Sequence, residues 1–205
     1  RCVPWMLGLR GNCRATNLAD FTTAYFNRCK CSSESWGVMS TDGVNQVRSY
    51  IKDCDIRITG KSGYGAFALL DTVVTLDHST INVPDYGMVS SMANATFVLK
   101  NGTVVNAGRF GGMSYRLVDG LFDIQPGCEI HAGETAFLTK GCPCTYQIEN
   151  AVVTSGRKIL LQMMDTDDPF NPKGSYSDPD DDERYIEGRD LTKTVRGEDC
   201  FVILK

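Results

Sequence analysis

Five short segments decide how this chain folds: Asp53-Cys54-Asp55-Ile56-Arg57, His78-Ser79-Thr80-Ile81-Asn82, Gly102-Thr103-Val104-Val105-Asn106, Gly127-Cys128-Glu129-Ile130-His131 and Asn150-Ala151-Val152-Val153-Thr154. Their aliphatic members, Ile56, Ile81, Val105, Ile130 and Val153, stand 25, 24, 25 and 23 residues apart. Counting back another 25 from Ile56 lands on Cys31, inside Asn27-Arg28-Cys29-Lys30-Cys31. Two residues before each aliphatic member is a small residue: Cys29, Cys54, Ser79, Thr103, Cys128 and Ala151. Residues two apart on a strand face the same side, so these segments predict two inward columns, one small and one aliphatic.

Working outward, a second apolar column is expected about seven residues on, at Val38, Phe67, Met88, Gly112, Phe137 and Leu160. Phe67 arrives about four residues late, which predicts an outward bulge at Lys61–Tyr64. A third column precedes each repeat at Leu76, Leu99, Ile124 and Ile148. Three short strands per repeat, a fixed step and glycines at the corners predict an all-β, right-handed parallel β-helix of about six or seven turns of 22–25 residues. An ordinary β-sandwich needs no fixed step. The expected organisation is a single domain over 1–205: an N-terminal cap or first rung at 1–26, regular rungs at 27–164, an acidic loop insertion at 165–186 and a final rung at 187–205. The insertion is expected because Asp165–Arg184 holds eight acidic and two basic residues, a net charge of −6, among prolines and aromatics. The run Cys200-Phe201-Val202-Ile203-Leu204-Lys205 reads as a strand with no turn after it, the pattern of a piece of a longer chain.

Composition narrows the function classes. Of 205 residues, 42% are hydrophobic, enough for a sizeable core. A net charge of −4 with no arginine-rich run argues against nucleic acid as a partner. No apolar run approaches the length of a membrane-spanning helix, so no membrane insertion is expected.

Segments such as Ser35-Trp36-Gly37-Val38-Met39-Ser40-Thr41-Asp42, Ser62-Gly63-Tyr64-Gly65, Gly133-Glu134-Thr135-Ala136-Phe137-Leu138 and Leu160-Leu161-Gln162-Met163-Met164-Asp165-Thr166-Asp167-Asp168-Pro169 carry a likeness. Over roughly residues 15–205 the chain resembles right-handed β-helix repeat proteins of anaerobic, often gut-dwelling, bacteria. The resemblance implies a secreted or cell-surface protein whose β-helix continues beyond this chain. It implies no catalytic mechanism.

The candidate chemistry is sparse. Cys29-Lys30-Cys31 and Cys142-Pro143-Cys144 suggest a four-thiolate metal site, but they lie four or five rungs apart, far beyond zinc–sulfur bonding distance. Cys29, Cys54 and Cys128 read as small buried fillers, with a Cys29–Cys54 disulfide as the alternative. Cys2 and Cys13 flank an N-terminal loop and are the expected disulfide pair. Asp178-Pro179-Asp180-Asp181-Asp182 opens like a calcium loop, but Glu183 stands where glycine is needed, so an EF-hand is rejected. Asp165, Asp167 and Asp168 remain the candidate ligands for calcium, the one cofactor considered.

Parallel β-helices host polysaccharide lyases and polygalacturonases, which makes a polysaccharide-degrading enzyme the natural alternative. Ser40-Thr41-Asp42-Gly43 resembles the polygalacturonase Asn-Thr-Asp-Gly motif, and Asp167-Asp168 its aspartate pair, giving Asp42, Asp167 and Asp168 as catalytic candidates. The order and spacing are wrong, and the Gly-His-Gly and Arg-Ile-Lys partners are lacking. Tyr64, Tyr86, Phe110 and Tyr115, with Arg109, are the expected binding residues, on the expectation that corner aromatics are exposed and stack on sugars; the alternative is that they simply pack along the corners. The outward column Arg57, Asn82, Asn106, His131 and Thr154 is polar and reads as a glycan- or protein-facing strip or as an ordinary solvent face. The expected function is structural or adhesive: a rigid flank that presents binding groups to a glycan or a host or bacterial surface protein. A trimeric phage tailspike-like receptor binder is a third reading, and an oligomer is compatible with all three.

Overall fold

The structure is a computed structural model that describes residues 14–16, 23–40, 47–117, 120–140, 144–164 and 200–205. Its elements are three parallel sheets, and each strand pairs with the strand three places later in the chain. The first sheet holds β1 (Arg14–Thr16), β4 (Trp36–Ser40), β7 (Tyr64–Leu69), β10 (Tyr86–Ala93), β13 (Phe110–Leu117), β16 (Thr135–Lys140) and β19 (Ile159–Met164). In the second lie β2 (Thr23–Asn27), β5 (Val47–Lys52), β8 (Thr72–Asp77), β11 (Thr96–Lys100), β14 (Leu121–Ile124), β17 (Cys144–Ile148) and β20 (Cys200–Leu204). The third comprises β3 (Lys30–Ser33), β6 (Asp55–Ile58), β9 (Thr80–Val83), β12 (Val104–Ala107), β15 (Glu129–Ala132) and β18 (Val152–Ser155). There is no helix among the described residues. The fold is thus the expected parallel β-helix, with about five complete turns marked by the five pairings of the third sheet, rather than six or seven. The stretch expected to be an N-terminal cap or first rung contributes strands β1 and β2; the acidic insertion at 165–186 lies outside the described residues.

The aliphatic column holds its predicted register: Cys31, Ile56, Ile81, Val105, Ile130 and Val153 are successive pairing partners. So does the third column, as Ile51, Leu76, Leu99, Ile124 and Ile148. Beside it Phe97, Phe122 and Tyr146 stack at 5.3 and 5.1 Å inside the solenoid. The buried Tyr146 hydroxyl lies 2.7 Å from Ser114 Oγ, which itself donates to Thr139 Oγ1 at 2.8 Å. Since Ser114 has one hydroxyl proton, Tyr146 is the donor of that pair.

The second column needs a correction. Val38 pairs with Ala66, then Met88, Gly112, Phe137 and Leu161, so Phe67 and Leu160 are each one residue out of register. A Cβ on Gly65 or Gly87 would strike the inward side chain of Ile81 or Val105, so these glycines face inward just before the inward Ala66 and Met88. Two consecutive inward residues form a bulge-like kink. Beyond it Phe67, Val89, Met113 and Leu138 fall on the other side of the sheet, in a separate apolar cluster with Tyr64, Tyr86 and Phe110. The expected bulge is present as the five-residue link 59–63 between β6 and β7, against the two-residue link 34–35 between β3 and β4. Tyr64 itself belongs to β7.

The corner between the second and third sheets turns through a left-handed residue in every rung described. Arg28 (φ 53°), Asp53 (φ 53°), His78 (φ 47°), Gly102 (φ 75°), Gly127 (φ 78°) and Asn150 (φ 41°) are all left-handed, and the small residue follows each. This residue does more than fill space. After the one-residue turns, Cys29 N donates to Cys54 Sγ (3.4 Å), Cys54 N to Ser79 Oγ (3.0 Å) and Ser79 N to Thr103 Oγ1 (3.3 Å). Each heteroatom in the next rung thus satisfies an amide that the turn leaves outside the ladder. The turns at Gly102 and Gly127 are one residue longer, and there Thr103 N and Cys128 N bond back to Lys100 O and Gln125 O. Cys29, Cys31, Cys54, Cys128 and Cys144 are all free thiols, so the alternative Cys29–Cys54 disulfide is not formed. Burial, with a neighbouring thiol, pushes Cys31 and Cys54 up to about 11, which leaves both protonated and poorly nucleophilic at neutral pH.

Candidate functional site

The outer face of the third sheet carries the most ordered set of polar groups. Ser32, Arg57, Asn82, Asn106, His131 and Thr154 are successive register partners, each beside an inward aliphatic residue. Alternation along a strand forces them outward. Arg57, Asn82, Asn106 and His131 line a shallow trough of about 570 Å³, together with the corner residues Gly60, Pro84 and Gly108. Glycine is needed along this corner because a Cβ on Gly108 or Gly133 would collide with the carbonyl oxygen of the rung below, Pro84 or Gly108.

The strip is internally organised. Asn106 Nδ2 donates to Asn82 Oδ1 at 3.0 Å, which leaves the two Asn82 N–H groups and the Asn106 oxygen for another molecule. His131 Nε2 lies 2.8 Å from Glu129 Oε2 and its Nδ1 2.9 Å from Thr154 Oγ1. An ionised carboxylate only accepts, so Nε2 carries the proton and, in the neutral ring, Nδ1 accepts from the Thr154 hydroxyl. The imidazole is fixed in place by both contacts. Arg57 extends the strip with an exposed guanidinium.

At the rim, the corner residues Asp85, Arg109, Glu134 and Arg157 form a ladder of alternating charge. Arg109 Nε donates to Glu134 Oε1 at 2.9 Å, Arg109 Nη1 lies 3.6 Å from Asp85 Oδ1, and Arg157 Nη2 lies 3.0 Å from Glu134 Oε2. Burial alone would lower the Arg109 pKa; the Glu134 hydrogen bond and the surrounding negative groups outweigh it and raise it. The Arg109 guanidinium also sits 5.0 Å over the Phe110 ring.

These contacts revise the expected binding set. Tyr64, Tyr86 and Phe110 are not exposed platforms: they are 4%, 0% and 0% accessible, and Trp36, Tyr64, Tyr86 and Phe110 stack as one ladder on the outer side of the first sheet. They open strands rather than occupy corners, and facing outward does not expose them where a second cluster packs on that face. Arg109 serves the charge ladder at the corner. The backbone of Tyr115 belongs to β13, and its side chain lies outside the described residues. Asp42, Asp165, Asp167, Asp168, Cys2 and Cys13 also lie outside them, and among the described residues no three acidic, histidine or cysteine groups gather as metal ligands. The polar strip itself was legible from the residue after each aliphatic member. The trough beside it was not, because it depends on which corner residues touch the rung below. No protein-family model, curated protein or solved structure matches the chain, so the site is read from its own geometry.

Proposed function

We propose that this β-solenoid is a binding element, and that the trough on the third sheet holds a linear glycan lying along the solenoid axis. One observation carries the reading: a column of hydrogen-bonding side chains, one per rung, along a trough whose other lining residues are small or apolar. Ladder spacing of roughly 4.8 Å is close to the length of one pyranose unit in an extended chain, so successive sugars meet successive rungs. Asn82 and Asn106 offer donors and acceptors to neutral hydroxyls, and Arg57 adds a positive group suited to an acidic sugar. Each side chain stands on a paired strand, so little order is lost on binding. A role at the cell surface or outside the cell belongs to the same proposal and is supported by the resemblance to β-helix repeat proteins.

The test is a glycan array probed with the full chain, followed by titration of the strongest hit against the double variant Asn82→Ala, Asn106→Ala. Loss of two hydrogen bonds is expected to weaken binding by about tenfold or more. The urea midpoint should move by less than about 0.5 kcal/mol, because these are surface groups. Undiminished binding by the variant, or no hit, overturns the proposal. Release of reducing or unsaturated ends from the bound glycan would transfer the protein to the polysaccharide-degrading enzymes.

A further inference from the structure

The outer face of the second sheet holds a second, unrelated feature. Tyr25, Tyr50, Thr75 and Val98 are successive register partners on β2, β5, β8 and β11. The inward partners Phe26 and Ile51 turn both tyrosines outward. Their rings stack at 5.1 Å with an interplanar angle of 13°, yet they are 72% and 40% accessible. One rung further, where a third ring would continue the stack, stands Thr75. Thr75 is itself buried, and a recess of about 240 Å³ runs beside both tyrosines, lined by Tyr25, Asn27, Tyr50, Lys52, Asp77 and Lys100, with Thr75 at its border.

The border of that recess is polar and fixed. Asp77 Oδ1 accepts from Asn101 Nδ2 at 2.8 Å, and Asp77 Oδ2 lies 3.6 Å from Lys100 Nζ. A flat π face is therefore met at one side by an ionised carboxylate, which accepts, and an ammonium, which donates. A purely aromatic ligand would use the face and gain nothing from either charged group. A sugar ring uses all three: its polarised C–H face lies on the negative face of the tyrosine quadrupole, and its hydroxyls accept from Lys100 and donate to Asp77.

We infer that this recess is a saccharide subsite, in which one pyranose ring lies against the exposed Tyr25–Tyr50 pair and is oriented by Asp77 and Lys100. It shares no residue with the trough on the third sheet and stands or falls separately from it.

The experiment titrates the full chain with methyl β-D-glucopyranoside, methyl β-D-galactopyranoside, methyl α-D-mannopyranoside and methyl N-acetyl-β-D-glucosaminide, followed by NMR of the tyrosine ring resonances. At least one glycoside is expected to shift the Tyr25 and Tyr50 signals saturably. Tyr50→Ala should weaken that binding by about tenfold, the worth of one stacked ring, while Tyr50→Phe retains it. Thr75→Tyr fills the recess without entering the core and should abolish binding in a folded protein. Asn82→Ala with Asn106→Ala should leave it unchanged. Absence of any saturable shift, or binding to Thr75→Tyr equal to the parent, overturns the inference. A dimer in sedimentation that Thr75→Tyr dissociates, with no response to any glycoside, assigns the recess to a second copy of the chain and overturns it equally.

Discussion

Two aromatic ladders climb the outside of this solenoid, and they differ in what flanks them. On the first sheet Trp36, Tyr64, Tyr86 and Phe110 run over four rungs, with Phe67, Val89, Met113 and Leu138 beside them and Arg109 across the last ring. On the second sheet Tyr25 and Tyr50 span two rungs and are flanked by Thr75 and the charged column of Lys52, Asp77 and Lys100. Both ladders follow from the same rule, an aromatic residue repeated at the rung step in outward register. One is a second core and the other is surface. Register places a ring; the outward residues further along the same strands, three positions on in the first sheet and two in the second, decide whether it is buried.

The comparison can be broken by mutation. Tyr86→Ala removes a fully buried ring and is expected to cost about 3–5 kcal/mol, read as a lowered urea midpoint at constant slope. Thr75→Tyr should move the other way: a third ring on an exposed stack is expected to gain about 0.5–1.5 kcal/mol. Tyr25→Ala is expected to lose at most about 1 kcal/mol, because its ring is largely in water already. A loss matching that of Tyr86→Ala would erase the distinction between the ladders.

The smallest expected effect concerns the charged column. The Asn101 hydrogen bond, with Lys100 beside it, holds Asp77 below the ordinary carboxylate range. A carboxylate whose folded pKa is depressed contributes stability above its unfolded value of about 3.9, and that contribution is lost as pH falls through the lower folded value. Asn101→Gly, which keeps the left-handed backbone of this turn (φ 53°), should therefore raise the Asp77 titration midpoint seen by carboxyl NMR. The stability gap between parent and variant should be present at neutral pH and close in acid. A gap that is independent of pH would show that Asn101 acts through something other than Asp77.

Much of the fold was readable because the Ile56, Ile81, Val105, Ile130 column and the Leu76, Leu99, Ile124, Ile148 column lie on strands of strict alternation. The column through Phe67 was misread by one residue because the inward pair Gly65-Ala66 breaks that alternation, and a glycine leaves no hydrophobic mark in the sequence. The same slip of parity, one step later, put Phe67 in the core rather than outside. At the surface, Arg57, Asn82, Asn106 and His131 were legible by their position after each aliphatic residue. Tyr25 and Tyr50 carried an equally plain signal, two tyrosines 25 residues apart, each just before an inward apolar residue. What sequence could not supply was accessibility: Tyr86 and Tyr50 look alike until the neighbouring strand positions are known.

The side-chain caps at the corner also bear on how the chain folds. Cys29, Cys54 and Ser79 each have a backbone amide satisfied by a heteroatom that arrives 24 or 25 residues later in the chain. A rung in this part of the solenoid is therefore incomplete when its own residues have been laid down, and it is finished only by its successor. Nearest-neighbour coupling of this kind makes rung formation cooperative in one direction, from earlier to later residues. The longer turns at Gly102 and Gly127 close on themselves and release that dependence. There the corner amide is satisfied within its own rung, and only the ladder hydrogen bonds tie it to the next.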